Sequence, residues 1–263
     1  MRQGRAIAAA VTIGACALVG PAAAQDMMRH LDLTSPDMVS AEMTRADVEA
    51  ALAARHIDFS ARKLSGLDLS GLDLSDAVLR GARLNKTKLA GARLDRAVLD
   101  QAWLLDADLS GASLKDANLF GAQMQRAKLD GADLSGARVT ADLTGASLVG
   151  ATLARANLSA DMKNQSMGLM RAVLRSANLS RADLRHADLS RVDLEFATLA
   201  QTDLTGASLR GASLGGANLT SVTVAEADFH GADVASARLV SPVGLAAAKN
   251  FDQAVNLDRL LRE

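Results

Sequence analysis

The chain has 263 residues, 29 basic and 30 acidic, a formal charge of −1 and an apolar content of 49%. That apolar share excludes a disordered chain, and the charge balance excludes a strong pull toward nucleic acid or an anionic membrane surface. Aromatics are only 2% and Tyr is absent, so whatever core the chain builds has almost no room for rings.

The chain opens MRQGRAIAAAVTIGACALVGPAAAQDMM. Arg2 and Arg5 make a positive start, Ala6 to Val19 an apolar stretch too short to span a bilayer, and Ala22-Ala23-Ala24 a small-residue cleavage site. This order predicts a secretory signal over residues 1–24, cut before Gln25, and a periplasmic or secreted mature protein. The lone cysteine, Cys16, lies inside it, so the mature chain has no disulfide or thiol chemistry. Lipoprotein processing at Ile13-Gly14-Ala15-Cys16 is the lesser alternative. Loss of Arg2 and Arg5 takes the charge from −1 to −3.

Residues 25–56 do not repeat, and they read as an N-terminal helical cap. Ser35-Pro36-Asp37 has the form of a helix cap, first residue and acidic first turn. Thr44-Arg45-Ala46-Asp47 resembles a capping box with Asp in place of Glu, and Val48, Ala51, Leu52 and Arg55 follow at helical spacing.

From residue 57 to 240 one pattern recurs every five residues, as in GLDLS GLDLS DAVLR GARLN from Gly66 to Asn85. A large apolar residue is central: Phe59, Leu64, Leu69, Leu74, Leu79 and onward to Val139, then Leu143 to Leu158, then Leu169 and Leu174 to Leu239. Ala commonly stands two positions before it (−2), and Asp, Asn, Arg or Ser between them (−1). Gly recurs two positions after it (+2), as at Gly66, Gly71, Gly81 and Gly91, where a tight corner is expected. Five matches neither a helix nor a strand. Positions 0 and −2 can share the inner side of a short extended segment, and a turn after each segment keeps the next pair inside. Four such turns close a square of twenty residues, and stacked squares hydrogen-bond at roughly 4.8 Å.

The pattern resembles the pentapeptide repeat family, whose consensus is A-(D/N)-L-X-X, over roughly 70% of the chain. The resemblance implies an all-β solenoid, a right-handed quadrilateral β-helix of about nine coils with short helical caps at both ends. It implies that the centre and the −2 residue point inward and the other three outward.

Two slips break the period. Val139 to Leu143 is four residues and Leu158 to Leu169 is eleven, which together restore the register. The interruption at 159–168 is expected to bulge or protrude as a short loop; it is either a functional loop or a tolerated indel. Met162, Met167 and Met170 suit irregular packing better than Cu(I) ligation, since no Cys or nearby His joins them.

No cofactor, metal or catalytic site is expected. Gly211-Ala212-Ser213-Leu214-Gly215 matches a nucleophile elbow only because the repeat is low in complexity, and the four histidines have no ligand spacing. Asp68, Asp73, Asp183, Asp188 and Asp193 stand at −1, a normal place in the family. With twenty residues per coil, Asp68, Lys88, Asp108 and Lys128 form one column of alternating sign. The family's best-known role is imitation of duplex DNA and binding of DNA gyrase, which needs an acidic surface. Here the faces neutralise themselves, and the signal peptide would remove the chain from the gyrase compartment, so a DNA-mimicking protein that binds DNA gyrase or topoisomerase is the runner-up reading.

An outward apolar patch of Val78, Val98, Trp103, Leu105 and Phe120 is the candidate contact for an unidentified protein partner, joined by Lys163, Asn164 and Gln165 in the interruption. The alternative is that Trp103 packs under the N-terminal helices or lies flat on its own coil stack. Residues 241–263 read as a C-terminal cap: Ser241-Pro242 opens it, and Phe251, Val255, Leu257, Leu260 and Leu261 form a short amphipathic segment. It is a plain cap or, as in some members of the resembled family, a homodimer contact. The sequence thus points to a non-catalytic scaffold of the cell envelope, with no membrane span and no nucleic-acid partner.

Overall fold

The computed structural model divides into two units, Met1–Leu31 and Asp32–Glu263. It describes residues 35–162 and 170–262. The expected signal segment therefore lies outside the described residues.

The unit of structure is a five-residue side, and its backbone hydrogen bonds can be counted. Take Leu67 (−2) to Gly71 (+2). The N–H of Leu69 donates to Lys88 O at 2.7 Å and that of Gly71 to Ala90 O at 3.0 Å, both in the next coil. At −1, Lys88 N–H donates back to Leu67 O at 2.9 Å, and at −2 the N–H of Leu72 closes the corner on Leu69 O at 3.2 Å. That leaves the N–H at +1, which finds a side chain: Ser70 N donates to Asp68 Oδ1 at 3.1 Å. The same bond recurs from Ser110 to Asp108, Ser135 to Asp133, Ser180 to Asn178 and Ser190 to Asp188. A buried or half-buried N–H must be paired, so this explains Asp or Asn at −1. At some sides where −1 makes no such bond, the preceding coil supplies the acceptor. Leu105 N, beyond Trp103, donates to Asn85 Oδ1, and Lys115 N, beyond Ser113, donates to Asp95 Oδ1.

These sides stack into four parallel ladders of single-residue bridges. The first holds Asp58, Val78, Val98, Asn118 and Arg138; the second Lys63, Arg83, Trp103, Gln123 and Asp142; the third starts at Asp68 and the fourth at Asp73. The fold is thus a quadrilateral β-helix. One coil contributes Leu89, Leu94, Leu99 and Leu104 to the axis, each fully buried, with Ala92, Ala97 and Ala102 equally buried beside them. Each such Leu is worth about 1.5–3 kcal/mol. Corners follow the type II turn pattern, with positive φ at +2. Gly91 has φ +64°, and a Cβ there would meet nothing within 4 Å. At this corner it is the positive φ, as the sequence reading of a tight corner expected, that favours glycine.

The interruption is larger than its arithmetic. Asp142 bridges Val173, a step of 31 residues in place of twenty, and Asn157 bridges Asp188. Leu174 therefore follows Leu158 as the next inward centre. The corner between them carries eleven extra residues, stacked on the corner at Thr140 that is one residue short. The net excess of ten is two whole repeats, which counting by fives cannot see. Leu169, read as a resumed centre, lies outside the described residues.

At the N-terminal end, α1 (Pro36–Val39) and α2 (Arg45–Ala53) cap the stack. Ser35 makes no side-chain cap bond, but Thr44 and Asp47 form the reciprocal capping box. Val48 of α2 is fully buried against the first coils, and Ala51 and Leu52 pack beside it.

The C-terminal segment is not an amphipathic helix. Val243, Lys249, Val255 and Leu261 are ladder rungs on Thr223, Asp228, Asp233 and Arg238. Between them lie the 3-10 turns Leu245–Ala247, Phe251–Gln253 and Leu257–Arg259. The sides have lengthened from five residues to six. Leu245, Phe251 and Leu257 pack against the core, whereas Val255 and Leu261, expected on the apolar side, are 49% and 54% exposed. The hexads GLAAAK, NFDQAV and NLDRLL carry this in the sequence: Gly244, Asn250 and Asn256 each take the left-handed conformation.

Candidate interaction surface

With 0 and −2 facing inward, positions −1, +1 and +2 make the outer faces. Their charges answer one another. Lys88 Nζ lies 3.7 Å from Asp68, Arg93 3.5 Å from Asp73, Lys115 3.2 Å from Asp133, Arg175 2.6 Å from Glu195 and Arg210 2.8 Å from Asp228. Such exposed pairs contribute about 0–1 kcal/mol each. The Asp at −1 is spent on structure. The hydroxyl of Ser70 and then its N–H hold the Asp68 carboxyl below its ordinary range, and Ser75 does the same to Asp73. At Asp106 the Arg126 fork outweighs burial in the same direction. Carboxylates held low stay ionised at neutral pH, so they are poor proton donors. Ser213, the centre of the apparent elbow, is a ladder rung between Asp193 and Asp233. Among the described residues no three His, Cys, Asp or Glu side chains are grouped to hold a metal ion, and no helix is long and apolar enough to cross a membrane.

The expected apolar patch separates into three parts. Val78 and Val98 are bridged rungs of the first ladder and half-buried. Trp103 is half-buried on the second ladder between Arg83 and Gln123. Leu105 is only 5% exposed and drops out of the outward patch. It lies on the corner strip of Asn85, whose Nδ2 donates to Met38 O of α1 at 3.0 Å, so the N-terminal cap reaches this strip. Phe120 has its ring under the Arg138 guanidinium, 4.1 Å from the centroid. Arg138 Nη2 in turn pairs with Asp161 at 3.2 Å, at the base of the insertion. That base is closed by Asp161 N donating to Met170 O at 2.7 Å. Lys163, Asn164 and Gln165 lie outside the described residues.

The sequence reading missed Phe196, the most exposed large apolar side chain described, at 61%. It occupies a corner with φ 59°, and a Cβ at Gly216 would stand 2.7 Å from its Cδ1. The signal was available: Phe196 falls at +2, an outward position. Val243, at 56% exposed, was likewise assigned no role.

The family model for pentapeptide repeats matches in eight copies, over residues 63–101, 104–136, 139–160, 169–206 and 202–239. None of the curated proteins matches this sequence. Among solved structures, HetL, a pentapeptide repeat protein involved in heterocyst differentiation regulation in the cyanobacterium Nostoc, is 28% identical; the match covers 83% of this chain and 99% of HetL, with a TM-score of 0.44. A trypsin-treated QnrB1 variant, a plasmid-mediated fluoroquinolone resistance protein, is 19% identical over 77% of this chain and 90% of its own, with a TM-score of 0.45. Rfr23 from the cyanobacterium Cyanothece is 28% identical over 46% of this chain and 91% of its own, with a TM-score of 0.25.

Proposed function

The chain belongs to the pentapeptide repeat family, and on that premise we propose that it is a non-catalytic scaffold of the cell envelope, holding a protein partner against the sides of a right-handed coil stack. The observation that supports this most is the use of the polar side chains. The carboxylate and amide at −1 are engaged by the backbone of their own side. What the coils offer outward is shape, fixed at single-residue intervals by a core of Leu and Ala.

The contact we assign is the Val78–Val98–Trp103 strip with the neighbouring Phe120. Two half-buried valines on one side and a half-buried Trp on the next supply the apolar and aromatic groups that binding hot spots use. Imitation of duplex DNA is disfavoured, because the ladder from Asp68 through Lys88 and Asp108 to Lys128 alternates in sign where phosphates would not. Self-association through the C-terminal rungs is a further proposal, motivated by exposed Val243, Val255 and Leu261 on the last turn.

Fractionation of the native host, N-terminal sequencing and a photo-crosslinker at Val98 test the reading together. The expected result is a periplasmic chain beginning at Gln25, crosslinked to one protein, with the crosslink lost in Trp103→Asp. A cytoplasmic chain that keeps residues 1–24 sinks the envelope assignment. A crosslink indifferent to Trp103→Asp sinks the strip.

A further inference from the structure

In the first half of the stack, two corner arginines are answered from the coil before. Arg96 forks Asp76 at 2.8 and 2.6 Å, and Arg126 forks Asp106 at 2.8 Å through each nitrogen. Along the corner that follows the fourth ladder the pattern holds at Arg96 and then stops. Its +2 residues run Asp76, Arg96, Asp116, Gly136, Arg155, His186 and Gly206. Arg155 has no carboxylate within ion-pair distance among the described residues. Asp116 lies against Gly136 and does not reach it. Arg155 N donates to Arg185 O at 2.9 Å, so the two arginines and His186 belong to stacked coils. Arg185 uses Nε and Nη2 on Asp183, at 2.9 and 2.7 Å, and its Nε is 4.0 Å from Asp203, which leaves Nη1 uncommitted. The His186 ring lies against Gly206, where a Cβ would stand 2.5 Å from Nδ1. Ala154, Arg155, Arg185 and His186 line a groove of about 320 Å³, open to solvent.

We propose that this groove binds a phosphoryl-type oxyanion. A guanidinium without a counter-ion, the free edge of a second and an imidazole ring line the groove from two stacked coils, a donor-rich lining that suits the several acceptor oxygens of such a group. The carboxylates Asp183 and Asp203 lie on Arg185 and leave Arg155 as the uncompensated charge.

The test is a titration of the full chain with inorganic phosphate at constant ionic strength, following the His186 ring protons by NMR. A saturable shift is expected, about tenfold weaker in Arg155→Gln, the loss typical of one charged hydrogen bond, and unchanged in Arg126→Gln. Glutamine is suited to this corner, since Gln101 and Gln201 adopt the same φ of 56° and 60°. A second arm co-sediments the protein with phosphatidic acid or phosphatidylcholine vesicles. Retention on phosphatidic acid alone, lost in Arg155→Gln, identifies the oxyanion as a lipid headgroup. A phosphate shift without retention identifies a soluble phosphate. No saturable shift and no retention, or binding unaffected by Arg155→Gln, overturns the proposal.

Discussion

At the scale of the residue, the repeat is explained by one leftover N–H. Leu at the centre and Ala at −2 are set by burial, and both were legible as periodicity. Asp or Asn at −1 was legible only as a pattern, since its cause is a bond to a backbone group two residues on. The same need is met at two exceptions from the preceding coil, where Asn85 and Asp95 reach up to serve Leu105 and Lys115. Asp188 tests it: its Oδ1 accepts from Ser190 N at 3.0 Å. Asp188→Ala should cost about 1 kcal/mol, the net worth of one such bond, in urea unfolding. Asp188→Asn should be nearly neutral, because Asn178 and Asn218 already fill this role. Equal losses in both would mean that the charge, and not the acceptor, matters.

At the scale of the element, the terminal turn is held by side chains that the central coils do not need. Asn250 Nδ2 donates to Asp228 Oδ1 at 2.8 Å, and Asn256 Nδ2 to Asp233 Oδ1 at 2.7 Å. Burial raises the Asp228 pKa, but Asn250, the His230 N–H and Arg210 together outweigh it and hold the carboxyl at about 2. A depressed carboxyl stabilises the fold above the unfolded value near 3.9 and loses that stabilisation as pH falls toward 2, on the order of 2 kcal/mol in all. Hydrogen exchange should therefore show residues 245–261 losing protection between about pH 4 and 2, ahead of the central coils. In Asp228→Asn the turn should lose this pH dependence. Uniform loss along the stack would place the acid sensitivity elsewhere. The sequence reading placed the capping box of α2 correctly because its rule is local. It failed at the C-terminal hexads because a period of six was sought as helical spacing. It failed at the insertion because eleven residues gained and one lost leave a multiple of five.

At the scale of the whole coil stack, each coil bonds only to the coils before and after it. Stability then approaches a sum of nearest-neighbour terms, and every ordinary coil is interchangeable with the next. Duplication of residues 97–116, one full circuit of twenty, should give a folded protein with an unchanged or higher thermal midpoint. A collapse of the transition would show that the faces are coupled over longer distances. The candidate contacts belong to this scale as well, and they were the least legible. Periodicity places Trp103, Leu105 and Phe120 outward but cannot foresee that Leu105 lies on the strip the N-terminal cap reaches, or that Arg138 covers Phe120.

The widening of the last turn bears on how such a chain can lengthen over evolutionary time. Tandem duplication adds circuits of twenty wherever the perimeter is constant. Across the final ladder steps the bridged separations grow from 20 at Thr223–Val243 to 23 at Arg238–Leu261. A circuit of four five-residue sides copied beyond that point would meet a larger square and lose its register after one side. Growth by copying is therefore least disruptive among the interior coils, where the perimeter is constant.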